Sequence, residues 1–234
     1  MLTSINARFL SGYPSNNVAL AGVVVHQTDW MDGGWVNGDE GRAWTVDPYH
    51  SDRFAASLIN KRLPHMYSTS AVGFVLNPAE VSGHILCAYP RDGGSMNKGN
   101  HGCGAGNFHG RDFLLKMMRD QATHTHYNKA CLWGEPNEQD RSGCQYNELI
   151  LDGQYYARRL PHVVQAFFYP IHGEVHFQEG DAAVARQLHS RFLAQYKLSA
   201  EDVPLIAFDV AKARDGKAPF VLADSERSSV DGPA

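Results

Sequence analysis

The chain has 234 residues, of which 43% are hydrophobic, 11% aromatic and 20% charged, and its formal net charge is −4. This composition is typical of a globular protein with a sizeable core, and it excludes extensive disorder. A negative net charge without a basic run argues against non-specific binding of nucleic acid. No run approaches the roughly 18 consecutive apolar residues of a membrane-spanning helix, so we expect no membrane association.

The four cysteines are clustered in the middle of the chain, beside loops rich in glycine and asparagine. They are Cys87, Cys103, Cys131 and Cys144. The even number predicts two disulfides, and pairing of near neighbours would give Cys87–Cys103 and Cys131–Cys144, although the sequence permits other pairings. A zinc site is the alternative, but the chain lacks a CxxC pair. Disulfides imply export, so we expect a secreted protein whose signal peptide has been removed and whose Met1 is a cloning residue.

The first half of the chain predicts strands separated by one helix. Residues 22–27 are a β-branched run and predict a buried strand that ends near His26 and Thr28. Residues 51–61 begin with Ser and Asp, which are good capping residues, and predict a helix. Residues 66–76 and 84–89 predict two further strands, and Pro90 ends the second.

The second half predicts a long glycine-rich loop followed by helices and strands that do not alternate regularly. The predicted elements are a loop over 91–110, helices over 111–123 and 181–196, and strands over 145–151, 163–169 and 203–210. A short polar connection containing Pro161 is expected between the first two of these strands. We therefore predict an α+β fold with mostly antiparallel strands, stapled by disulfides, as one domain over 1–224 with a polar tail over 225–234.

Glu148 is a carboxylate within the strand predicted over 145–151. In a strand, alternate side chains share a face, so Tyr146, Glu148 and Ile150 are expected to point the same way. A carboxylate at such a position needs either water or a chemical role. Glu148 is therefore either an edge-strand residue that faces solvent or a candidate functional group.

Three polar features on predicted strands resemble the motifs of the ADP-ribosyltransferase toxin fold. They are His26, the triplet Ser68-Thr69-Ser70 after Tyr67, and Glu148. In that family a first strand presents Arg or His toward NAD, a second carries Ser-Thr-Ser or Tyr, and a third carries the catalytic Glu. His26 and Ser68 are 42 positions apart (68 − 26), which is similar to the family's spacing. The chain is also similar, more loosely, to the halovibrin type of secreted NAD glycohydrolase.

The resemblance implies an NAD-consuming enzyme that cleaves the bond between nicotinamide and ribose. Glu148 would be the catalytic residue that stabilises the oxocarbenium-like transition state. The residues expected to contact NAD are His26, Thr28, Tyr67, Ser68, Thr69, Ser70 and Tyr146. Arg8, Arg53 and Arg62 are candidates for the pyrophosphate. We expect NAD as the substrate, a macromolecular or small-molecule acceptor of ADP-ribose if the group is transferred, no metal, and a monomer.

Two departures from the family pattern affect the predicted chemistry. Transferases that modify arginine carry Glu or Gln two residues before the catalytic Glu, whereas Tyr146 stands there in this chain. The absence of that side chain favours water, or an acceptor other than arginine. His26 stands where toxins with a Ser-Thr-Ser triplet usually have Arg, so the chain mixes the signatures of two subgroups.

Other interpretations of the same residues remain open. A histidine on an apolar strand is commonly a core residue with satisfied hydrogen bonds. His124 with His126, or His101 with His109, would suggest a metal-dependent hydrolase, although HExxH is absent. A secreted binding module that presents the Trp- and Gly-rich segment 30–44 is a further alternative.

Overall fold

A computed structural model of the chain describes residues 1–27, 53–62, 72–90, 103, 108–123, 147–172 and 182–223. Over these residues the chain folds as an α+β protein around one eight-stranded sheet. The strands are β1 (Val23–Gln27), β2 (Arg53–Ile59), β3 (Gly73–Leu76), β4 (Ile85–Tyr89), β5 (Glu148–Asp152), β6 (Val164–Ile171), β7 (Leu205–Asp209) and β8 (Phe220–Leu222). The helices are α1 (Leu2–Ser11), α2 (Val18–Ala21), α3 (Pro78–Val81), α4 (Phe113–Thr123), α5 (Gly153–Val163), α6 (Ala182–Tyr196) and α7 (Val210–Arg214).

The strands are ordered β4-β5-β2-β1-β3-β6-β7-β8 across the sheet. Within this sheet β6 and β7 are parallel, and every other neighbouring pair is antiparallel. This confirms the prediction of an α+β fold with mostly antiparallel strands. The strand that carries Glu148 is flanked on both sides, by β4 and by β2.

The two faces of the sheet are buried in separate clusters. The face that we call the α5 face includes Val24, Leu58, Phe74, Leu149 and Phe167, and it is covered by residues of α4, α5 and α6 such as Met117, Tyr156, Leu160 and Phe192. The opposite face, which we call the α1 face, includes Val25, Val75, Ala166 and Phe168 and is covered by Ile5, Phe9, Val210 and Ala213. Because alternate residues of a strand point to opposite faces, each strand contributes to both layers.

Most of the elements expected from the sequence are confirmed. Strands β1, β4, β5, β6 and β7 and helices α4 and α6 lie within two or three residues of their predicted positions. The predicted Cys87–Cys103 disulfide is present. Cys131, Cys144 and the tail 225–234 lie outside the described residues. In the part of the chain that is described, no helix has the length and apolarity needed to cross a membrane.

The helix predicted over 51–61 is wrong, because this segment contains β2. Phe54 and Leu58 are four residues apart, a spacing that suits one face of a helix, but they also fall on alternate positions of a strand. Pairing with β1 on one side and β5 on the other gives the segment two ladders of hydrogen bonds. Tertiary pairing therefore overrides the local capping signal.

The polar connection predicted around Pro161 is also wrong, because it is helix α5. The Asp152 side chain caps this helix by accepting hydrogen bonds from the backbone N–H groups of Gln154 and Tyr155, at 3.0 and 3.2 Å. Tyr156, Leu160 and Val163 are buried at helical spacing. Pro161 is tolerated because it lies in the last turn of the helix, so few later residues depend on its geometry.

Gly73 allows β3 to approach β1 closely beside His26. A Cβ atom at this position would lie 2.4 Å from the carbonyl oxygen of His26 and 2.8 Å from the ring of Phe168. We expect Gly73→Ala to destabilise the protein by about 1–3 kcal/mol, because backbone cannot yield as a flexible side chain does. Urea unfolding followed by circular dichroism measures the change.

Gly83→Ala is the matched control for this substitution. A Cβ atom at Gly83 would meet no heavy atom within 4 Å among the described residues. We expect this variant to be neutral or slightly stabilised, by at most about 1 kcal/mol. Equal stabilities for the two variants would contradict the close approach at Gly73.

Candidate functional site

Glu148 lies at the start of β5 and is buried, with 3% of its surface exposed. Its direct partner on β4 is Tyr89, which is fully buried. On the other side, β2 and β5 pair Ala56 with Leu149, and one further step in the same register places Ser57 opposite Glu148. Directly opposite residues have Cβ atoms about 4.5–5.5 Å apart and share a face. Glu148 is therefore flanked across the sheet by a tyrosine and a serine.

The Cys87–Cys103 disulfide packs on the same face. Cys87 is paired with Ile150, so Glu148, two residues before Ile150, is its diagonal neighbour across the strands, at a Cα separation of about 7–8 Å. Cys87, Tyr89 and Ile150 form a buried cluster against which Ala55 and Cys103 pack. We call these five residues together with Glu148 and Ser57 the Glu148 cluster. It extends the α1 face to the β4 edge of the sheet.

The side chain of Asn147 fixes the start of β5 against β2. Its Oδ1 accepts a hydrogen bond from the backbone N–H of Leu58 at 2.7 Å, and its Nδ2 donates to the Leu58 carbonyl oxygen at 2.8 Å. Asn147 is fully buried. The amide of this side chain thus makes the pair of bonds that a strand backbone would make. Asn147, which directly precedes Glu148, is thus held by hydrogen bonds at both polar atoms of its side chain.

His26 lies on β1 and faces the other side of the sheet. Its ring stacks on Phe74, its partner in β3, with the ring centroids 5.4 Å apart. His26 Nδ1 is 2.6 Å from the carbonyl oxygen of Ala55, and because a carbonyl can only accept, Nδ1 carries the proton. Burial lowers the pKa of His26 to about 4, against the weaker opposing effect of this hydrogen bond. The ring is therefore neutral near pH 7.

The structure does not bring His26 and Glu148 together. Phe74, on which His26 stacks, belongs to the α5 face, and so does Leu149. Glu148 precedes Leu149 in the strand and so points to the α1 face. The environment of His26 fits the alternative interpretation of a core histidine whose polar atom is hydrogen-bonded.

The remaining predicted NAD contacts lie outside the described residues. These are Thr28, Tyr67, Ser68, Thr69, Ser70 and Tyr146. Of the candidate arginines, Arg62 is exposed, and Arg8 is buried beneath α1, where its Nη2 donates to the Gln165 side chain on β6. Four strand spacings separate β6 from β5, or roughly 19 Å at about 4.8 Å each. Arg8 is thus remote from Glu148.

Sequence reasoning missed three residues that flank Glu148. Ser57 lies in the segment whose pattern predicts a helix. Tyr89 ends a predicted strand whose neighbours the sequence does not identify, and Asn147 is expected on the face opposite Glu148, where its sequence indicates no role. The alternation of apolar residues at 54, 56 and 58 was an available signal for Ser57, because it places the serine on the other face of a strand. The partners of Tyr89 and Asn147 depend on strand order, which local sequence does not encode.

The residues of the other hypotheses are mostly outside the described part of the chain. His101, His124, His126 and segment 30–44 fall there, and His109 is exposed. Over the residues that are described, no group of three or more His, Cys, Asp or Glu side chains is arranged to hold a metal ion.

Comparison of the chain with models of known protein families, with curated proteins and with solved structures finds no match.

We expect Asn147→Ala to destabilise the protein by about 2–4 kcal/mol. The substitution removes two buried hydrogen bonds and leaves the N–H and C=O of Leu58 without these partners. Urea unfolding measures the loss. The control is Gln154→Ala, at an exposed position of α5, for which a change within about 0.5 kcal/mol is expected. A loss below 0.5 kcal/mol for Asn147→Ala would contradict its anchoring role.

His26 should make the stability depend on pH in acid. Its folded pKa of about 4 lies below the ordinary value of 6.5, so the unfolded chain binds the proton more tightly. The stabilisation is complete above pH 6.5 and is lost as the pH falls toward 4, by about 2–3 kcal/mol. In His26→Asn, an amide nitrogen replaces Nδ1 without titrating.

The free energy of unfolding of the wild type should therefore fall more steeply than that of His26→Asn between pH 6.5 and 4. All other titrating groups are common to the two proteins, so the difference reports His26. Parallel pH profiles would show that His26 does not titrate as its burial requires.

Proposed function

We propose that the protein is a secreted enzyme with an ADP-ribosyltransferase-like fold that cleaves the nicotinamide–ribose bond of NAD. Water is the favoured acceptor, which makes the reaction a glycohydrolase reaction. Transfer of ADP-ribose to an acceptor other than arginine is the variant of the same chemistry. The observation that supports the proposal is the burial of Glu148 on a strand whose start is fixed by Asn147.

A fixed, buried carboxylate suits this chemistry. A side chain that is 3% exposed is screened little by solvent, so its charge acts strongly on a neighbouring group. Cleavage of NAD places positive charge on the ribose ring as the bond lengthens. A carboxylate already aimed at that position stabilises the transition state without reorganising.

The proposed reaction consumes one water per NAD. The bond between C1′ of ribose and N1 of nicotinamide breaks, and its electron pair returns to the ring, which leaves as neutral nicotinamide. Glu148 stabilises the oxocarbenium-like ribose. The oxygen of water then bonds to C1′, and its proton passes to solvent, giving ADP-ribose.

The neighbours of Glu148 would orient its carboxylate. Ser57, on the opposed position of β2, is within reach to donate its hydroxyl proton to a carboxylate oxygen. The ring of Tyr89 forms the wall on the β4 side. Tyr146, in place of an acidic or amide residue two positions before Glu148, supports water over an arginine acceptor.

We expect Glu148→Gln to lower kcat for release of nicotinamide from NAD by at least about 100-fold, because the amide keeps the shape but not the charge. Nicotinamide and ADP-ribose are quantified by liquid chromatography. The control is Glu201→Gln, an equivalent change at an exposed position between α6 and β7, which should leave kcat unchanged.

Circular dichroism and the urea midpoint establish that both variants are folded. Activity of Glu148→Gln equal to that of the control would refute the assignment of Glu148. Intact NAD after hours with micromolar wild-type protein, with no ADP-ribose found on protein, nucleic-acid or small-molecule acceptors, would refute the proposed function itself.

A further inference from the structure

The disulfide of this protein lies in the same buried cluster as the candidate catalytic carboxylate. Cys87 is fully buried and is the diagonal neighbour of Glu148, and its own strand supplies Tyr89, the direct partner of Glu148. Cys103 is partly buried and packs against the cluster that Cys87, Tyr89 and Ile150 form. One wall beside Glu148 is therefore built from residues that the disulfide links covalently.

Two residues that follow β4 in the sequence, Cys103 and Phe108, are each joined back to that strand. Ala88 and Phe108 exchange two backbone hydrogen bonds, of 2.9 and 2.7 Å. The disulfide joins Cys87 to Cys103, 16 positions along the chain. The Ala88 side chain belongs to the α5 face, whereas the disulfide lies on the face of Glu148. Of these two connections, the disulfide is the one whose residues belong to the Glu148 cluster.

We propose that the Cys87–Cys103 disulfide is a positioning element for Glu148, so that cleavage of NAD requires the oxidised protein. This inference rests on the proposed function, since it assigns a regulation to that site. The disulfide holds Cys103 against the cluster of Cys87, Tyr89 and Ile150, in which Tyr89 is the direct strand partner of Glu148. When the bond is broken, Cys103 is no longer held there and water can enter the cluster.

The switching step is an ordinary thiol–disulfide exchange. A dithiol reductant breaks the Sγ–Sγ bond, donates two electrons and two protons to give two cysteine thiols, and closes to its own cyclic disulfide. Reoxidation reverses the step. An enzyme of this kind is active in an oxidising compartment and inactive where glutathione and thioredoxin keep thiols reduced, which protects the NAD of the cell that makes it.

The test compares NAD turnover and amide hydrogen exchange in two variants. Cys103→Ser removes the disulfide with little change of volume. Cys131→Ser/Cys144→Ser keeps the disulfide while removing the other two cysteines. We expect Cys103→Ser to lose kcat at least tenfold with KM within threefold, and to exchange the amides of Tyr89 and Glu148 faster, while that of Ile206 in β7 is unchanged.

Reduction provides a second route that does not depend on the folding of a variant. Dithiothreitol acts only on Cys87–Cys103 in Cys131→Ser/Cys144→Ser, and should reproduce the loss of kcat. Reoxidation should restore it.

The outcomes separate the two proposals. Turnover that is equal before and after reduction, whether or not hydrogen exchange changes, overturns the positioning role and leaves the proposed function standing. Oxidised wild-type protein that fails to consume NAD overturns the proposed function, and the inference with it. Loss of NAD turnover on reduction and its recovery on reoxidation support both the proposed function and the positioning role of the disulfide.

Discussion

The register of β5 between β4 and β2 is the constraint on which the candidate site depends. In a strand the side chains alternate, so a shift of one residue would move Glu148 to the α5 face and Leu149 to the α1 face. Two contacts oppose that shift. Asn147 holds Leu58 of β2 through both of its polar atoms, and Cys87 of β4 lies opposite Ile150 within a disulfide-linked cluster. The position of Glu148 is thus fixed from both sides.

The side chains of two residues that the sequence predicts to act on the same NAD, His26 and Glu148, point to opposite faces of the sheet. His26 stacks on Phe74 within the α5 face, with its Nδ1 proton bound to the Ala55 carbonyl, and there it supports the contact between β1 and β2. Glu148 occupies the α1 face. A buried carboxylate costs several kcal/mol of desolvation, and an apolar residue would pack in its place without that cost. The proposed catalytic role is one that an apolar residue at this buried position could not perform.

The sequence predicts those helices and strands that have a clear local pattern of apolar residues. It does not predict elements whose conformation depends on pairing with other strands. Leu114, Met117 and Met118 recur at helical spacing in the segment that forms α4, and the β-branched run forms β1, because each pattern suits only one type of element. Phe54 and Leu58 fit a helix and a strand equally, so only pairing with β1 and β5 made the segment β2. The place of Glu148 in an apolar strand is visible in the sequence, whereas its pairing with Tyr89 and the opposite face of His26 follow from strand order, which no local pattern contains.

The proposed role of Glu148 is tested most directly by a crystal structure of Glu148→Gln with NAD bound, since the variant is expected to hold the substrate without cleaving it. We expect C1′ of the nicotinamide ribose about 3–4 Å from the side chain of residue 148, on the face that carries Ser57 and Tyr89. A dinucleotide bound on the face of His26 and Phe74, with its ribose away from residue 148, would contradict the catalytic role of Glu148.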